Sequence, residues 1–346
     1  MSKRSDTALV LSAVLILVIV LGGEVVTYTS DFTSYNADVR YTDDGIEYSV
    51  SADGSKTYSV IMSENGSYKG IDGLYIYYDE TYRSDYEDVL VPVGARELNQ
   101  EYYVEQLTPT LRYRGIQDIT VVDAEELKTA LESDSADGTA TKGLVVISGA
   151  LPDTVYKGNA DDLVFKWMSC GDSLYWLGNL IGANYATQDA LVPVDGYQQL
   201  FFGSECLNTG DTVKAYGEID GYCSALCLTN NCVKYSVDGS RLPAGTNHTE
   251  IGFTEDGYSS VSLVGFGKGM VCILGGDYSN NQRNDLAQVI ASGIGPESSI
   301  VASESGTVTR GTVDGTMQAE GENLVTFVFM GGYYPVFCKL FKAVSA

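Results

Sequence analysis

Five short apolar runs limit what this chain can build. They are Leu74–Tyr78 (LYIYY), Ile119–Val122 (ITVV), Leu144–Ile147 (LVVI), Leu174–Leu177 (LYWL) and Met270–Leu274 (MVCIL). Each is continuous rather than alternating, the pattern of a strand buried on both faces. Helix-like stretches stand between them: Glu97–Arg114, Ala124–Glu132 behind the N-cap residue Asp123, Asp161–Ser169 and Asn284–Ile294. Strands alternating with helices predict a parallel sheet covered on both faces.

The flanks read differently. Ala37–Tyr41, Ile46–Ser51 and Thr57–Met62 form a β-meander, punctuated by Asp43-Asp44-Gly45 and Asp53-Gly54-Ser55. After Pro296 the chain is again all-β, with runs at Ile300–Ser303, Thr307–Val313, Leu324–Met330 and Val336–Phe341. The expected division is a signal anchor over 1–28, a meander over 29–68, an α/β domain over 69–297 with a β-like, irregular insert at 195–265, and C-terminal strands over 298–346. The two β-rich flanks are expected to form one accessory domain.

The N-terminus carries Lys3 and Arg4, then a charge-free run from Ala8 to Gly23 that Val25 and Val26 extend past Glu24. Sixteen charge-free residues make a helix of roughly 24 Å, short for a bilayer core but extendable. Bulky Val20 and Leu21 stand where a cleavage site needs small residues, so an uncleaved anchor is preferred to a signal peptide. The expectation is a single-pass protein of the cell membrane, in the bilayer through residues 8–26. Its N-terminus is cytoplasmic and its bulk extracytoplasmic. Asn65-Gly66-Ser67 and Asn247-His248-Thr249 are N-glycosylation sequons, with Asn65 and Asn247 as acceptors.

Of the 346 residues, 21 are Lys or Arg and 46 Asp or Glu, for a net charge of -25. Such a surface repels phosphate backbones, so nucleic acid is not an expected partner. An envelope protein or a carbohydrate is. The 25 tyrosines suit half-buried strands and polar-ligand surfaces alike. Among seven cysteines, Cys206, Cys223, Cys227 and Cys232 cluster as disulfide candidates; free buried thiols and a metal site are the alternatives. Cys272, inside an apolar run, reads as a core thiol.

The stretches LVVISGALPDTVY, DDLVFKWMSCGDSLYWLG and GFGKGMVCILGGDY resemble the class I glutamine amidotransferase-like superfamily, including its trehalose-utilisation-protein-like branch, over roughly residues 70–295. The resemblance implies a flavodoxin-like α/β fold with a parallel sheet of order 2-1-3-4-5. It does not extend to catalysis. The family's G-x-C-x-G elbow is missing around Cys170, which follows Met168-Ser169, and no histidine follows His248. A thiolate nucleophile needs a base to keep it deprotonated.

In an open parallel sheet, ligands bind at the carboxyl ends of the strands. That edge is expected to gather Asp79, Glu80, Ser148, Gly149, Gly178, Asn179, Gly275, Gly276 and Asp277. Small residues let a ligand approach, and the carboxylates suit a cation or sugar hydroxyls. Asp, Asn and Gly are also ordinary turn residues. No Walker A, GxGxxG, HExxH or GxSxG pattern is present, so no cofactor, metal or catalytic residue is expected. Three readings remain: a non-catalytic binding or scaffold protein, a carbohydrate-processing hydrolase using strand-edge carboxylates, and a structural surface component.

Overall fold

The structure is a computed structural model describing residues 35–42, 45–64, 71–84, 100–113, 116–138, 141–147, 149–213, 215–216, 233–254, 256–274, 280–318, 323–330 and 335–343. The continuous apolar runs lie at the centre of its largest sheet. β4 (Gly73–Tyr77), β5 (Ile119–Val122), β6 (Lys142–Val146), β8 (Ser173–Leu177) and β16 (Gly269–Leu274) pair in parallel, in the spatial order β5-β4-β6-β8-β16. Every residue of β8 and β16 is buried.

Period-two alternation divides their side chains between two cores. Ile76, Val145, Tyr175 and Cys272 meet α1 (Gln100–Tyr113) and α5 (Asn280–Ser292) through Leu107, Leu111, Leu286 and Ile290. Leu144, Val146, Trp176 and Ile273 meet α2 (Ala124–Asp137), α3 (Leu163–Cys170) and α4 (Tyr197–Phe202) through Leu127, Leu131, Trp167 and Phe201. α2 starts where Asp123 accepts hydrogen bonds from the backbone N–H groups of Glu125 and Glu126, while Glu126 accepts one from Asp123 N. This reciprocal cap satisfies donors that the first helical turn leaves open.

Beyond β16 the sheet turns antiparallel. β15 (Ser259–Phe266) pairs with β16, β13 (Val233–Val237) with β15, and β11 (Leu207–Val213) with β13. β14 (His248–Thr254) also joins β15, and β12 (Ala215–Tyr216) joins β14, making ten strands. A small sheet of β7 (Leu151–Pro152), β9 (Asn184–Ala186) and β10 (Leu191–Pro193) follows directly from β6 and β8.

Both flanks of the chain build a sandwich. Its first sheet is β1 (Tyr35–Thr42), β2 (Gly45–Ala52) and β18 (Gly311–Met317). The second, in the order β17-β3-β19-β20, comprises β3 (Lys56–Glu64), β17 (Ser299–Val308), β19 (Asn323–Met330) and β20 (Pro335–Ala343). Ala37, Ile46, Val50, Val60, Met62, Val325 and Phe327 form the core between them. Tyr48 reaches across to donate a hydrogen bond to Glu304 of β17. Gly315 makes room for that ring, since a Cβ there would lie 2.2 Å from it.

The expectation of a flavodoxin-like α/β fold of order 2-1-3-4-5, with a β-rich flank and a preceding membrane helix, is corrected. Strands outweigh helices, several sheets are present, and the largest is mixed, extended by antiparallel strands. The physical reason lies in residues 195–265, expected as an irregular insert. They supply β11 to β15, and the strand packed on the parallel core, β15, hides its burial behind polar letters. Ser259, Ser260 and Ser262 are buried in it beside Val261 and Leu263. No helix among the described residues is long and apolar enough to cross a membrane. The leader over 1–28, with its bilayer contact at 8–26, lies outside the described residues.

Candidate functional site

The carboxyl edge of the parallel strands is where the sequence places a site. β4 ends at Tyr77 and leads into Tyr78-Asp79-Glu80. Asp79 Oδ1 accepts hydrogen bonds from Thr81 N at 2.9 Å and Thr81 Oγ1 at 2.6 Å. Its Oδ2 accepts one from Ala124 N, the first residue of α2, at 3.1 Å. Asp79 and Asp123 thus both sit at the N-terminus of α2, where exposed N–H groups favour negative charge. Asp153 completes the group: Oδ1 accepts from Tyr82 Oη at 3.1 Å, and Oδ2 lies 3.8 Å from Lys157 Nζ. Partial burial and then the Asp153 charge push the Tyr82 hydroxyl up to about 12. Burial raises the Tyr77 hydroxyl further, and Asp79 adds to the shift. These phenols are hydrogen-bond donors at neutral pH, not bases.

The remaining expected residues form separate networks. Gly149 and Gly178, at φ +72° and +103°, turn the chain out of β6 and β8. The Asn179 carbonyl accepts from Trp176 Nε1 at 2.6 Å and Tyr235 Oη at 3.2 Å, tying β8 to β13. The small sheet adds to this edge through Asp153 N donating to Ala186 O and Arg83 N donating to Thr187 O. Glu80 is exposed. Ser148, Gly275, Gly276 and Asp277 lie outside the described residues, as do Asn65, Cys223, Cys227 and Cys232.

Cys206, expected in a disulfide, is a free thiol packed into the core beside α4, and burial pushes it up to about 11. Cys272 is also free and buried, whereas Cys170 is exposed, its Sγ 3.8 Å from Ser135 O. Asn247 is exposed and donates from Nδ2 to Glu297. Among the described residues no group of three or more His, Cys, Asp or Glu could hold a metal ion. Sequence reasoning missed Asp153 and Tyr82. Each is a polar residue in the turn after a strand, which was the available signal.

Asp172 and His248 lie outside this edge and titrate away from their ordinary ranges. Asp172, in the α3–β8 turn, accepts from Lys142 N at 2.8 Å and is buried. Burial raises its carboxyl to about 6, with Asp134 adding to the shift and Lys142 opposing it. Ionisation therefore costs the folded state. The carboxyl's contribution is full below about 4 and is lost as pH rises through 6. Asp172→Asn keeps the acceptor and cannot ionise, so it raises stability at pH 8 by about 2–3 kcal/mol and leaves stability near pH 3.5 unchanged. Urea midpoints at the two pH values measure this. His248 works in the opposite direction. Burial pushes it down to about 4, so its contribution is full above 6.5 and is lost as pH falls through 4.

No protein-family model matches the chain, and no curated protein matches it in sequence. Among solved structures it is similar to the cytoplasmic protein STM1381 from Salmonella typhimurium LT2, with a TM-score of 0.36, 13% identity, and coverage of 63% of this chain and 97% of that one. It is also similar to the exo-beta-1,4-mannosidase Op5Man5 from Opitutaceae bacterium strain TAV5, with a TM-score of 0.34, 10% identity, and coverage of 64% and 35%. A beta-galactosidase from Bacillus circulans sp. alkalophilus gives a TM-score of 0.37 and 12% identity, with coverage of 74% and 35%. The chain spans about a third of the length of each glycosidase.

Proposed function

We propose that the chain is a non-catalytic binding or scaffold protein, held in a membrane by residues 8–26 with its bulk outside the cytoplasm. The observation that supports this reading is the engagement of three described carboxylates at the strand edge. Asp79 and Asp123 hold the N-terminus of α2, and Asp153 holds Tyr82 and Lys157. A glycosidase needs two carboxyl groups facing the sugar, one to pass a proton and one to activate water or attack. Carboxylates committed to helix caps and a tyrosine are poor candidates for that exchange, because moving them opens the fold. The exposed Cys170 has a main-chain carbonyl as its hydrogen-bond partner, not a base.

The test is to incubate the purified full chain in detergent with aryl glycosides and soluble polysaccharides, following both product release and melting temperature. A bound ligand at a hundred times its Kd stabilises by about 2.7 kcal/mol, which is visible as a melting shift. Shifts without product are the expected result. Sustained turnover, abolished in Asp153→Asn, would replace this reading with the hydrolase.

A further inference from the structure

The sandwich carries a slot on the face turned away from its core. β1, β2 and β18 are paired so that Asp38, Ser49 and Asp314 form one row across the sheet. Arg40, Glu47 and Thr316 form the next row on the same face. Between them Val39, Tyr48 and Gly315 direct their side-chain positions inward, leaving main chain as the floor. The two rows wall a groove of about 680 Å³. A smaller recess of about 280 Å³ follows along the same face, beside Asn36, Ser51, Asp53 and Thr312.

We infer that this slot docks an extended, lysine- or arginine-bearing peptide segment of a partner protein. Its walls set three carboxylates against one guanidinium. The chain's net charge of -25 adds an attractive field for cations, which a concave lining concentrates. Three strands span about 10 Å, the length of three to four extended residues. Ser49 and Thr316 offer hydroxyls to a peptide backbone, and Glu47 and Asp314 offer acceptors to its cationic side chains. A neutral sugar is disfavoured, because no described outward position on these strands carries an aromatic ring to stack on it. A second copy of this chain would bring like charge to like. The inference deepens the binding-protein reading and rests on it, but it is read separately: peptide titration reports the slot, glycoside turnover the strand edge.

The experiment titrates the full chain in detergent into a fluorescein-labelled heptapeptide of alternating lysine and serine at 0.15 M salt, following anisotropy. Glu47→Gln with Asp314→Asn should weaken binding about fivefold or more, the loss of two exposed charge pairs. Arg40→Gln should strengthen it several-fold, and this opposite sign cannot come from misfolding. The control variant, Glu132→Gln with Asp189→Asn, changes net charge equally on exposed positions elsewhere and should leave binding near wild type. Equal weakening in both double variants would mean diffuse charge attraction and overturn the slot. So would no saturable binding by wild type, or a neutral oligosaccharide displacing the peptide.

Discussion

Gly269→Ala is expected to destabilise the protein by about 3 kcal/mol or more, from steric overlap that no side-chain movement relieves. A Cβ at Gly269 would lie 2.0 Å from Asp172 O and 2.5 Å from Met168 O, both main-chain atoms. Gly269 opens β16 directly after the β15 hairpin turn, and the next residue, Met270, donates its N–H to Asp172 O. The overlap therefore falls where the α3–β8 turn meets the central strand, and relief requires β16 to move. Gly138→Ala is the control. Gly138 ends α2 at φ +59° with nothing within 4 Å of a Cβ, so alanine there costs only the left-handed backbone, about 1 kcal/mol. Urea denaturation of both variants measures the difference. Equal losses would mean that close backbone approach at Gly269 contributes nothing.

Trp176→Ala is expected to cost about 3–5 kcal/mol, the range for removing a large buried aromatic. Trp176 is 0% exposed near the carboxyl end of β8, and its indole N–H bonds the Asn179 carbonyl. Trp176→Phe separates the two contributions. It keeps most of the apolar contact, and Asn179 O keeps Tyr235 as a donor, so the cost falls to about 1–2 kcal/mol. A phenylalanine variant as damaged as the alanine variant would assign the effect to the hydrogen bond instead of to the packing.

The elements that could be read from sequence are those whose burial is written in apolar letters. Leu174–Leu177 and Met270–Leu274 need no context, because every position faces a core. Asp123 was readable as a cap because its partners lie two and three residues away. β15 was not, because serine marks a surface in most sequences and here lies beneath neighbouring strands. β17 was read only in part: Ser303, Glu304 and Ser305 are exposed, and nothing local shows that they pair with β3. The overall architecture was misjudged for the same reason, since buried polar strands turn a parallel core into a mixed sheet.

The candidate site divides along the same line. Asp79 was placed at a strand end from local pattern, but its partner Ala124 is 45 residues away, and so its structural role was hidden. Asp153 escaped notice because Tyr82, its donor, lies 71 residues earlier. The slot over β1, β2 and β18 depends on a register such as Asp314 with Ser49, which no local spacing encodes. Cys206 was grouped with its neighbours by spacing alone, whereas its thiol is free and buried in the core.

The position of β3 bears on how the protein is made. β3 lies between β17 and β19, and Thr57 pairs with Thr307, 250 residues later (307 − 57). At roughly 5–20 residues per second, a ribosome needs on the order of 12–50 s to supply that partner. β1 and β2 can pair with each other at once, but β3 and the free edge of β2 must wait through this interval while the middle of the chain, whose parallel strands pair over shorter distances, is already able to collapse. A newborn strand such as Lys56–Glu64, with Val60, Ile61 and Met62 at its centre, offers both hydrogen-bonding edges to other chains during the delay. Biogenesis of this protein is therefore expected to depend on a holding factor, and an early stop that removes β17 to β20 should leave the N-terminal strands as a seed for aggregation and not as a smaller working protein.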